Sequence, residues 1–446
     1  MNNPGILALF PTLVVIALAV WSRRSLEPLL AGVIVGYAMI ASSGVMTKTL
    51  DSAQSVLADG TMIWILLAVS LFGALTHLIV HSGGAQAFSG KLVHFVKNRR
   101  SALLTTWVLG LVIFIDDYLN ALTVGSSMKG LTDEHKVSRQ MLSYVVDTTA
   151  APICVLIPLS TWAIYVAGLL EANGIAGEGE GMSVYISAIP YMLYPIIAAL
   201  LVPLVAMSII PAMGPMKKAE EKAARGESTI TARGGEMDIE YEFQGDPNIW
   251  NFVVPIVALI FFTWWFGVDI LMGVSVALVV TLVLYGAQKV LTFNQMFDYA
   301  MEGIKGMLPA LSIIVVSFML KDVNDTLGLT DFVIDTVKPI MSAALLPVVT
   351  FAALALIAFA TGSFWGMYAI ALPIVLPLGA ELGVNPSLTI GAVVSAGAFG
   401  SHACFYGDST VLSATATDVE PLDHALTQLP YILIAAALAL VGFSFL

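Results

Sequence analysis

The sequence predicts an all-α polytopic membrane protein, and three observations support this fold class. Of its 446 residues, 58% are hydrophobic and only 11% are charged, which is more apolar surface than a soluble core needs. Apolar runs of about 17 to 25 residues, the length that spans the hydrocarbon of a bilayer, recur from end to end. Polar breaks interrupt one such run in each half of the chain. Together these features predict helical spans that surround a polar site.

The first apolar run, residues 4–20, is predicted to be a retained span and not a signal peptide. It has no basic flank before it, and Arg23 and Arg24 follow it in place of a small-residue cleavage site. The spans of the first half are predicted near residues 5–21, 27–43, 61–81, 140–168 and 185–212.

Basic residues indicate which loops face the cytoplasm, because cytoplasmic loops near span ends are rich in Lys and Arg. They collect at a few places, among them residues 23–24, 91–100, 129–139 and 217–233. The segment 171–184 contains glutamates and no basic residue, so we place it outside. Residues 103–130 are mostly apolar, lie between two cytoplasmic clusters and are too short for two crossings. They predict a re-entrant hairpin with Asp116 and Asp117 near its tip.

The polar segment 213–248 is predicted to be a cytoplasmic linker between a first repeat, residues 1–212, and a second repeat, residues 249–446. Apolar segments of the second repeat lie near residues 249–266, 268–287, 306–329, 340–382, 386–416 and 425–446. Each repeat is predicted to contain three spans, a re-entrant hairpin, a broken span and a final span. Since the first repeat has an odd number of crossings, we expect the second to be inverted, as in many secondary transporters.

The two broken spans carry similar polar motifs. Asp147-Thr148-Thr149-Ala150-Ala151-Pro152 leads to Ser160-Thr161, and Gly400-Ser401-His402 leads to Asp408-Ser409-Thr410. Each motif combines small residues, a Pro or Gly breaker and a pair of hydroxyl groups. Breakers in a span are tolerated where protein or a water-filled cavity satisfies the freed backbone groups. We therefore expect the broken spans to face each other across a site.

Acids inside the predicted spans are the main candidates for ion binding. A charge at membrane depth costs roughly 2.5 to 3.5 kcal/mol or more, so Asp116, Asp117 and Asp147 indicate an ion or substrate path. Carbonyls freed at a broken helix coordinate sodium, and both Asp147 and Asp408 are followed by two hydroxyl residues. We predict these two acids as sodium ligands. A proton competes for the same buried carboxylate, which permits exchange at one group.

The predicted ion- or substrate-binding residues share a place in a broken span or at a hairpin tip. They are Asp116, Asp117, Asn120, Asp147, Thr148, Thr149, Ser160, Thr161, Thr361, Ser363, Trp365, His402, Asp408, Ser409 and Thr410. Thr361, Ser363 and Trp365 are included by symmetry, as the tip of the second hairpin. His402 is either a proton carrier or a histidine hydrogen-bonded between helices.

Several candidates have a structural alternative. Asp147 is compatible with a helix cap at the cytoplasmic end of its span, and Asp408 with an ion pair to Lys321. Asn120 is compatible with hydrogen bonds inside the hairpin tip. Neighbours on a helix point in different directions, so only one of the adjacent acids at the first hairpin tip is expected to face the site.

Several stretches of the chain resemble the NhaC-type sodium/proton antiporter family. The matching pieces are residues 116–125, 136–144, 147–152, 160–162, 408–413 and 427–431. The resemblance covers most of the chain and implies two inverted repeats with hairpins, no cofactor, and coupled movement of small ions or solutes. One departure is that Ser401 stands before His402, where the sodium/proton members have an Asp. Because the wider family includes carriers of amino acids and dicarboxylates, this departure keeps an organic solute open.

Other protein classes fit the sequence poorly, and an enzyme is not expected. The net charge of -12 argues against a nucleic-acid partner. The Gly-x-Gly-Asp pattern of an intramembrane aspartyl protease is absent, and six scattered His with two Cys give no zinc-hydrolase motif. No phosphate-binding Gly-rich loop precedes a Lys-Ser or Lys-Thr pair, so ATP drive is unsupported.

The sequence thus predicts a multi-pass secondary transporter of a bacterial inner membrane that works by alternating access. The first hypothesis is sodium/proton antiport. The alternative is sodium- or proton-coupled transport of an amino acid or small carboxylate, with His402, Tyr406, Trp162 and Trp365 contacting the solute. A homodimer is expected only by analogy with other transporters of this architecture.

Overall fold

The computed structural model describes residues 5–446 apart from residues 23–25, 42, 94–95, 232–247, 268, 362–363 and 406. Within these residues the chain is helical and has no strand, so the predicted all-α class is confirmed. Ser363, Tyr406 and residues 232–247 of the predicted linker lie outside the described residues, as do Arg23 and Arg24.

The first half contains twelve α-helices among its described residues. They are α1 (Phe10–Ser22), α2 (Leu26–Ile40), α3 (Val45–Leu57), α4 (Gly60–His81), α5 (Gly84–Val93), α6 (Arg99–Val112), α7 (Asp117–Glu134), α8 (Arg139–Thr149), α9 (Ala151–Leu156), α10 (Thr161–Ala172), α11 (Gly181–Ala188) and α12 (Leu193–Ala206). Short 3₁₀ helices precede α1 at Gly5–Leu9 and α12 at Ile189–Tyr191.

The second half follows the linker helix α13 (Gly214–Ala224). Its helices are α14 (Trp250–Trp265), α15 (Ile270–Gln288), α16 (Phe293–Thr326), α17 (Leu329–Val337), α18 (Leu346–Thr361), α19 (Phe364–Glu381), α20 (Pro386–Ala403), α21 (Asp408–Ala416) and α22 (Pro421–Ser444).

Five segments of the described chain are long and apolar enough to cross a membrane. They are Met62–His81, Arg139–Ala172, Ile270–Gln288, Phe364–Glu381 and Pro421–Ser444. The total reaches seven if the bent pairs α2 with α3 and Gly181–Tyr191 with α12 each count as one span. Shorter apolar helices include Trp250–Trp265 and Leu346–Phe359.

The helices follow the same order in both halves. A helical hairpin (α6 with α7, then α18 with α19) precedes a broken span (α8 to α10, then α20 with α21), and a long final helix ends each half. Helix α7 packs on α21, and α19 packs on α10, so each hairpin contacts the broken span of the other half. These reciprocal contacts are what a two-fold relationship between the halves requires. The inversion itself stays a prediction.

Two long helices, α4 of the first half and α16 of the second half, pack closely against each other at a pair of glycines. A Cβ on Gly73 would lie 2.5 Å from the carbonyl oxygen of Gly303, and a Cβ on Gly303 would lie 2.1 Å from that of Gly73. Further along the same pair of helices, the ring of His81 stacks on Tyr299. The partner numbers fall as those of α4 rise, so the two helices run antiparallel. Small residues at such crossings let backbones approach closely.

Each broken span is interrupted where the helical hydrogen-bond pattern ends. Helix α8 ends at Thr149 because Ala150 leaves helical geometry and Pro152, which lacks an N–H, stands in the first turn of α9. Ser160 then caps α10, since its Oγ accepts from the Ala163 N–H at 3.1 Å. In the second half α20 ends at Ala403, and Gly407 is the N-cap residue of α21.

The linker begins with an amphipathic helix that sequence analysis did not predict. Helix α13 buries Met216, Ala219 and Ala223 and packs on α8 and α22. Glu220 on the same helix pairs with Arg99 and accepts from the Ser138 hydroxyl at 2.7 Å. The start of the linker is therefore docked on the helices that carry the polar motifs.

The Gly73–Gly303 crossing predicts a position-specific loss of stability. Gly303→Val should lower the free energy of unfolding by roughly 1–3 kcal/mol or more, because overpacking against backbone forces the helices apart. The matched control is Gly306→Val on the same helix, where a Cβ meets no described atom within 4 Å. Thermal unfolding of the detergent-purified protein measures both, and equal melting temperatures for the two variants would contradict the role assigned to the crossing.

Candidate functional site

Asp147 on α8 is fully buried and is the centre of the candidate site. Ser409 Oγ donates to its Oδ1 at 2.8 Å, and Thr410 Oγ1 donates to its Oδ2 at 3.1 Å. His424 Nε2 lies 3.0 Å from Oδ2, and Gln428 Nε2 donates to the same oxygen at 2.9 Å. All four partners belong to the second half of the chain, so the site exists only where the halves meet.

The local structure explains how these side chains converge. Ser409 and Thr410 lie in the first turn of α21, so the positive end of that helix dipole points toward the carboxylate. His424 and Gln428 are four residues apart on α22, which places them on one face of the helix. The carboxylate of Asp147, near the end of α8, contacts the first turn of α21 and this face of α22. Its four partners are therefore two side chains from each of these helices.

Four polar side chains satisfy the buried carboxyl group of Asp147. Buried polar groups in folded proteins are normally paired in this way. A carboxylate has about four lone-pair positions. Three of the four contacts are to Oδ2 and one is to Oδ1, so a cation that approaches Oδ2 competes with these donors.

His402 on α20 forms a second layer around the carboxylate. Its Nε2 lies 3.1 Å from Thr148 Oγ1, and its Nδ1 lies 2.9 Å from the Tyr194 hydroxyl. Gln428 Nε2, which contacts Asp147, also donates to the His402 carbonyl at 2.9 Å. The histidine is fully enclosed by these helices. His402 is therefore linked to the Asp147 carboxylate through Gln428 and makes no described hydrogen bond with it.

Several buried polar atoms on the helices of this site have no hydrogen-bond partner among the described residues. They are Oγ of Ser401 on α20, Oγ of Ser413 on α21, and Oε1 of Gln428 and Nδ1 of His424 on α22. Buried polar groups are normally paired. Two of these atoms belong to residues that contact the Asp147 carboxylate, namely Gln428 and His424.

The tip of the first hairpin forms a separate polar region. Asp116 and Asp117 are both buried between α6 and α7. Thr161 Oγ1 donates to Asp116 Oδ2 at 3.3 Å, and the Thr161 N–H donates to the Ile115 carbonyl at 3.0 Å. The hairpin tip is therefore joined to the first turn of α10. Which of the two acids faces a transported ion stays a prediction.

Asn120 and Thr149 hold the first hairpin against α8. Asn120 Nδ2 lies 2.7 Å from the Gly110 carbonyl and 2.8 Å from the carbonyls of Ile113 and Thr149, so its two hydrogens are shared among three acceptors. The Thr149 hydroxyl bonds to carbonyls of its own helix. Both side chains therefore bind backbone carbonyls. For Asn120 this agrees with the alternative of hydrogen bonds inside the hairpin tip. The Thr149 hydroxyl makes no described contact with Asp147.

An aromatic group joins α10 of the first broken span to the start of α19 in the second hairpin. Trp162 stacks on Trp365 with ring centroids 4.2 Å apart, and Trp162 also contacts the ring of Phe364 at 3.4 Å. The Tyr165 hydroxyl donates to the Trp365 carbonyl at 2.5 Å. Trp162 is buried and its Nε1 has no partner among the described residues.

The structure brings together only part of the predicted set. Asp147, Thr148, His402, Ser409 and Thr410 form one connected cluster. Ser160 acts as a helix cap, and its hydroxyl also donates to the Cys154 carbonyl at 2.5 Å. The side chains of Thr361 and Asp408 lie outside the described residues, although their backbones end α18 and begin α21. Lys321, the alternative partner of Asp408, pairs with Asp325 at 3.1 Å.

Sequence reasoning missed His424, Gln428 and Tyr194. The first two are polar and one turn apart near the start of an otherwise apolar final span. Residues in such a place are commonly interfacial, so the spacing alone gave only a weak signal. Tyr194 gave no signal in the sequence, because tyrosine is also a common packing residue in membrane spans.

A buried ionic cluster lies at the other end of α8. Arg139 contacts Asp418 at 2.9 Å and Asp133 at 2.7 Å, and Lys129 contacts Asp418 at 3.3 Å. Arg139 and Asp418 are almost completely buried. This cluster joins the segment between α7 and α8 to the segment between α21 and α22, so it crosses the same interface as the Asp147 contacts.

The sequence model of the Na+/H+ antiporter family matches residues 177–446, more than half of the chain. The chain belongs to this family. It is a multi-pass membrane protein and a secondary transporter, and the resemblance stated from the sequence motifs is confirmed at the level of this family. The members and structural neighbours of this Na+/H+ antiporter family protein are transporters and not enzymes.

One sequence relative and two solved structures are similar to this Na+/H+ antiporter family protein. An uncharacterized protein of Haemophilus influenzae strain Rd is 28% identical over an alignment that covers 99% of this chain and 91% of the relative. The YdaH transporter of Alcanivorax borkumensis has a TM-score of 0.62 and 11% identity, covering 87% of this chain and 89% of that one. MtrF of Neisseria gonorrhoeae has a TM-score of 0.53 and 16% identity, covering 90% and 83%. At these identities the two structures share the fold.

The buried ionic cluster predicts a large effect of removing one partner. Arg139→Met should lower the free energy of unfolding by about 3–5 kcal/mol, because Asp418 is left buried with a weaker set of contacts. The control is Arg225→Met, which removes an exposed pair with Glu227 and should leave stability unchanged. Thermal unfolding in detergent reports both values. A similar melting temperature for the two variants would show that the cluster is not stabilising.

Proposed function

We propose that the protein exchanges sodium for protons, with Asp147 binding the two cations in turn. The observation that carries this proposal is a fully buried carboxylate of one half surrounded by two hydroxyls, an imidazole and an amide of the other half. Hydroxyls and amides can either donate to a carboxylate or ligate a cation. The same residues therefore serve an empty, a protonated and a sodium-bound carboxylate.

Sodium binding requires a rearrangement of donors in this proposal. The hydroxyl hydrogens of Ser409 and Thr410 rotate away from Asp147, and the two hydroxyl oxygens then face the ion with the carboxylate. Thr410 Oγ1 also lies 3.1 Å from the Ser401 carbonyl, which is an alternative acceptor for its hydrogen. Asp408, whose backbone directly precedes Ser409, is the second proposed sodium ligand. Broken helices commonly supply ions with such oxygen ligands.

Proton binding uses the histidine. Nε2 of His424 is in hydrogen-bond contact with Asp147, and its Nδ1 has no partner among the described residues. An imidazole that has one ring nitrogen on an acid and the other available passes a proton between them. We therefore assign His424 the role of proton relay to Asp147, and His402 a positioning role through Thr148 and Gln428.

Alternating access is proposed to move the hairpins and broken spans against the remaining helices of two inverted repeats, residues 1–212 and 249–446. The contacts of α7 with α21 and of α19 with α10 support this division. The cluster of Arg139 and Asp418 closes one end of the interface in this conformation. An inner-membrane location and a homodimer complete the proposal, the first because cation exchange needs an energised membrane and the second by analogy.

The proposal predicts the behaviour of Asp147→Asn. In proteoliposomes a sodium gradient should drive a pH change with the wild-type protein, read with an internal pH-sensitive dye and with no organic solute present. Asp147→Asn should abolish it, because an amide cannot alternate between a proton and sodium. The control is Asp269→Asn, since Asp269 caps α15 and Asn caps equally well. Full exchange by the Asp147 variant would contradict the assignment.

The second candidate is sodium- or proton-coupled transport of an amino acid or small carboxylate. It is favoured by the aromatic group between α10 and α19, where Trp162 Nε1 lacks a partner among the described residues. Ser401 in place of a carboxylate beside His402 also reduces the negative charge of the site. MtrF, which shares the fold, represents a class of antimetabolite efflux pumps.

The same vesicles distinguish the two functions. Under exchange, the sodium-driven pH change appears without organic solute. Under the second candidate, it appears only after the correct amino acid or carboxylate from a panel is added, and Trp162→Phe raises the solute concentration needed. Phe keeps the aromatic stacking and removes the N–H, so this variant tests the unpartnered donor.

A further inference from the structure

Two histidines and a glutamate meet at one end of the crossing between α4 and α16. His77 and His81 lie on α4, and Glu302 lies on α16. Each residue offers one ligand atom, and the three atoms all lie within 4.8 Å of one another. The sequence alone does not indicate this group, because Glu302 is distant from the two histidines along the chain. It uses helices other than those that carry Asp147, so it is a separate site.

The two histidines are arranged as metal ligands on one helix face. They are four residues apart, which places their rings one turn from each other, and the ring centroids are 5.5 Å apart. His81 Nδ1 lies 2.9 Å from the His77 carbonyl. Metal-ligating histidines commonly direct their other ring nitrogen at a carbonyl, because this bond fixes the tautomer and the ring orientation.

The orientation of His81 is held by a second contact, and His77 has an unused nitrogen. The His81 ring stacks on Tyr299 with centroids 3.9 Å apart. Nδ1 of His77 is buried and has no hydrogen-bond partner among the described residues. A buried imidazole nitrogen without a partner is unusual in a folded protein. A bound cation would satisfy it.

Water-borne ions have a route to this group. Glu302 is exposed, and it lies five residues before the apolar stretch of α16 that begins at Met307, or about 7.5 Å along the helix. His81 is the last residue of α4. Both therefore lie near the end of the apolar part of their helices and not at its middle.

We propose that His77, His81 and Glu302 form a binding site for a divalent transition-metal cation of the Zn²⁺ type. Two imidazoles and a carboxylate suit such borderline cations and do not suit sodium. Three protein ligands leave a fourth position for water. Because the ligands come from both helices, the bound ion links α4 to α16 next to the Gly73–Gly303 crossing.

The test is isothermal titration of the detergent-purified full chain with ZnCl₂, after removal of any polyhistidine tag. The wild type should show one saturable equivalent per chain. His81→Gln and Glu302→Gln should each weaken binding at least about tenfold, since even outer-shell partners of metal ligands are worth 10- to 100-fold in affinity. Zinc should also raise the melting temperature of the wild type, and much less that of His81→Gln.

His135→Gln is the matched control. His135 Nδ1 makes the same contact with the carbonyl four residues earlier, at 2.9 Å from Leu131, but a leucine occupies the place of a second imidazole. This variant should bind zinc like the wild type. The proposal is overturned if the wild type shows no saturable binding, or if His81→Gln and His135→Gln change the affinity equally. Neither result bears on sodium exchange at Asp147, which is measured separately.

Discussion

The compensation of one buried charge organises this protein. Asp147 carries a carboxylate into a helical interior, where an ion without donors is too costly to keep. Its own half supplies none of the four donors found on it, because Ser409, Thr410, His424 and Gln428 all follow the linker. The two halves must therefore dock for either to be a stable polar structure.

The same interface contains a second set of charges at the other end of α8. Arg139 begins the helix and meets Asp418, while Asp147 near its end meets α21 and α22. One short helix thus presents a positive and a negative group to the second half, at opposite ends. The break between α20 and α21 provides the N-terminal turn of α21 that contacts Asp147, and Asp418 lies in the turn between α21 and α22.

Most of the fold was predictable because hydropathy and breakers act locally. The acid and hydroxyl pairs in apolar spans pointed to Asp147, Ser409 and Thr410, and the structure places these three in contact. The direction of each side chain was not predictable, which is why Thr149 turned out to face its own helix. His424 resembled an ordinary interfacial residue. Partners distant in sequence, such as His81 and Glu302, become visible only after the helices are packed.

The amide of Asn120 has a mechanical consequence. Its nitrogen lies within 2.8 Å of three carbonyls, two in the first hairpin and one at Thr149 near the end of α8. Separating the hairpin from α8 would leave these buried acceptors without this donor, which is costly, so the contact favours movement of the two elements together. Asp147 lies two residues before Thr149 and therefore belongs to the element that Asn120 ties to the hairpin.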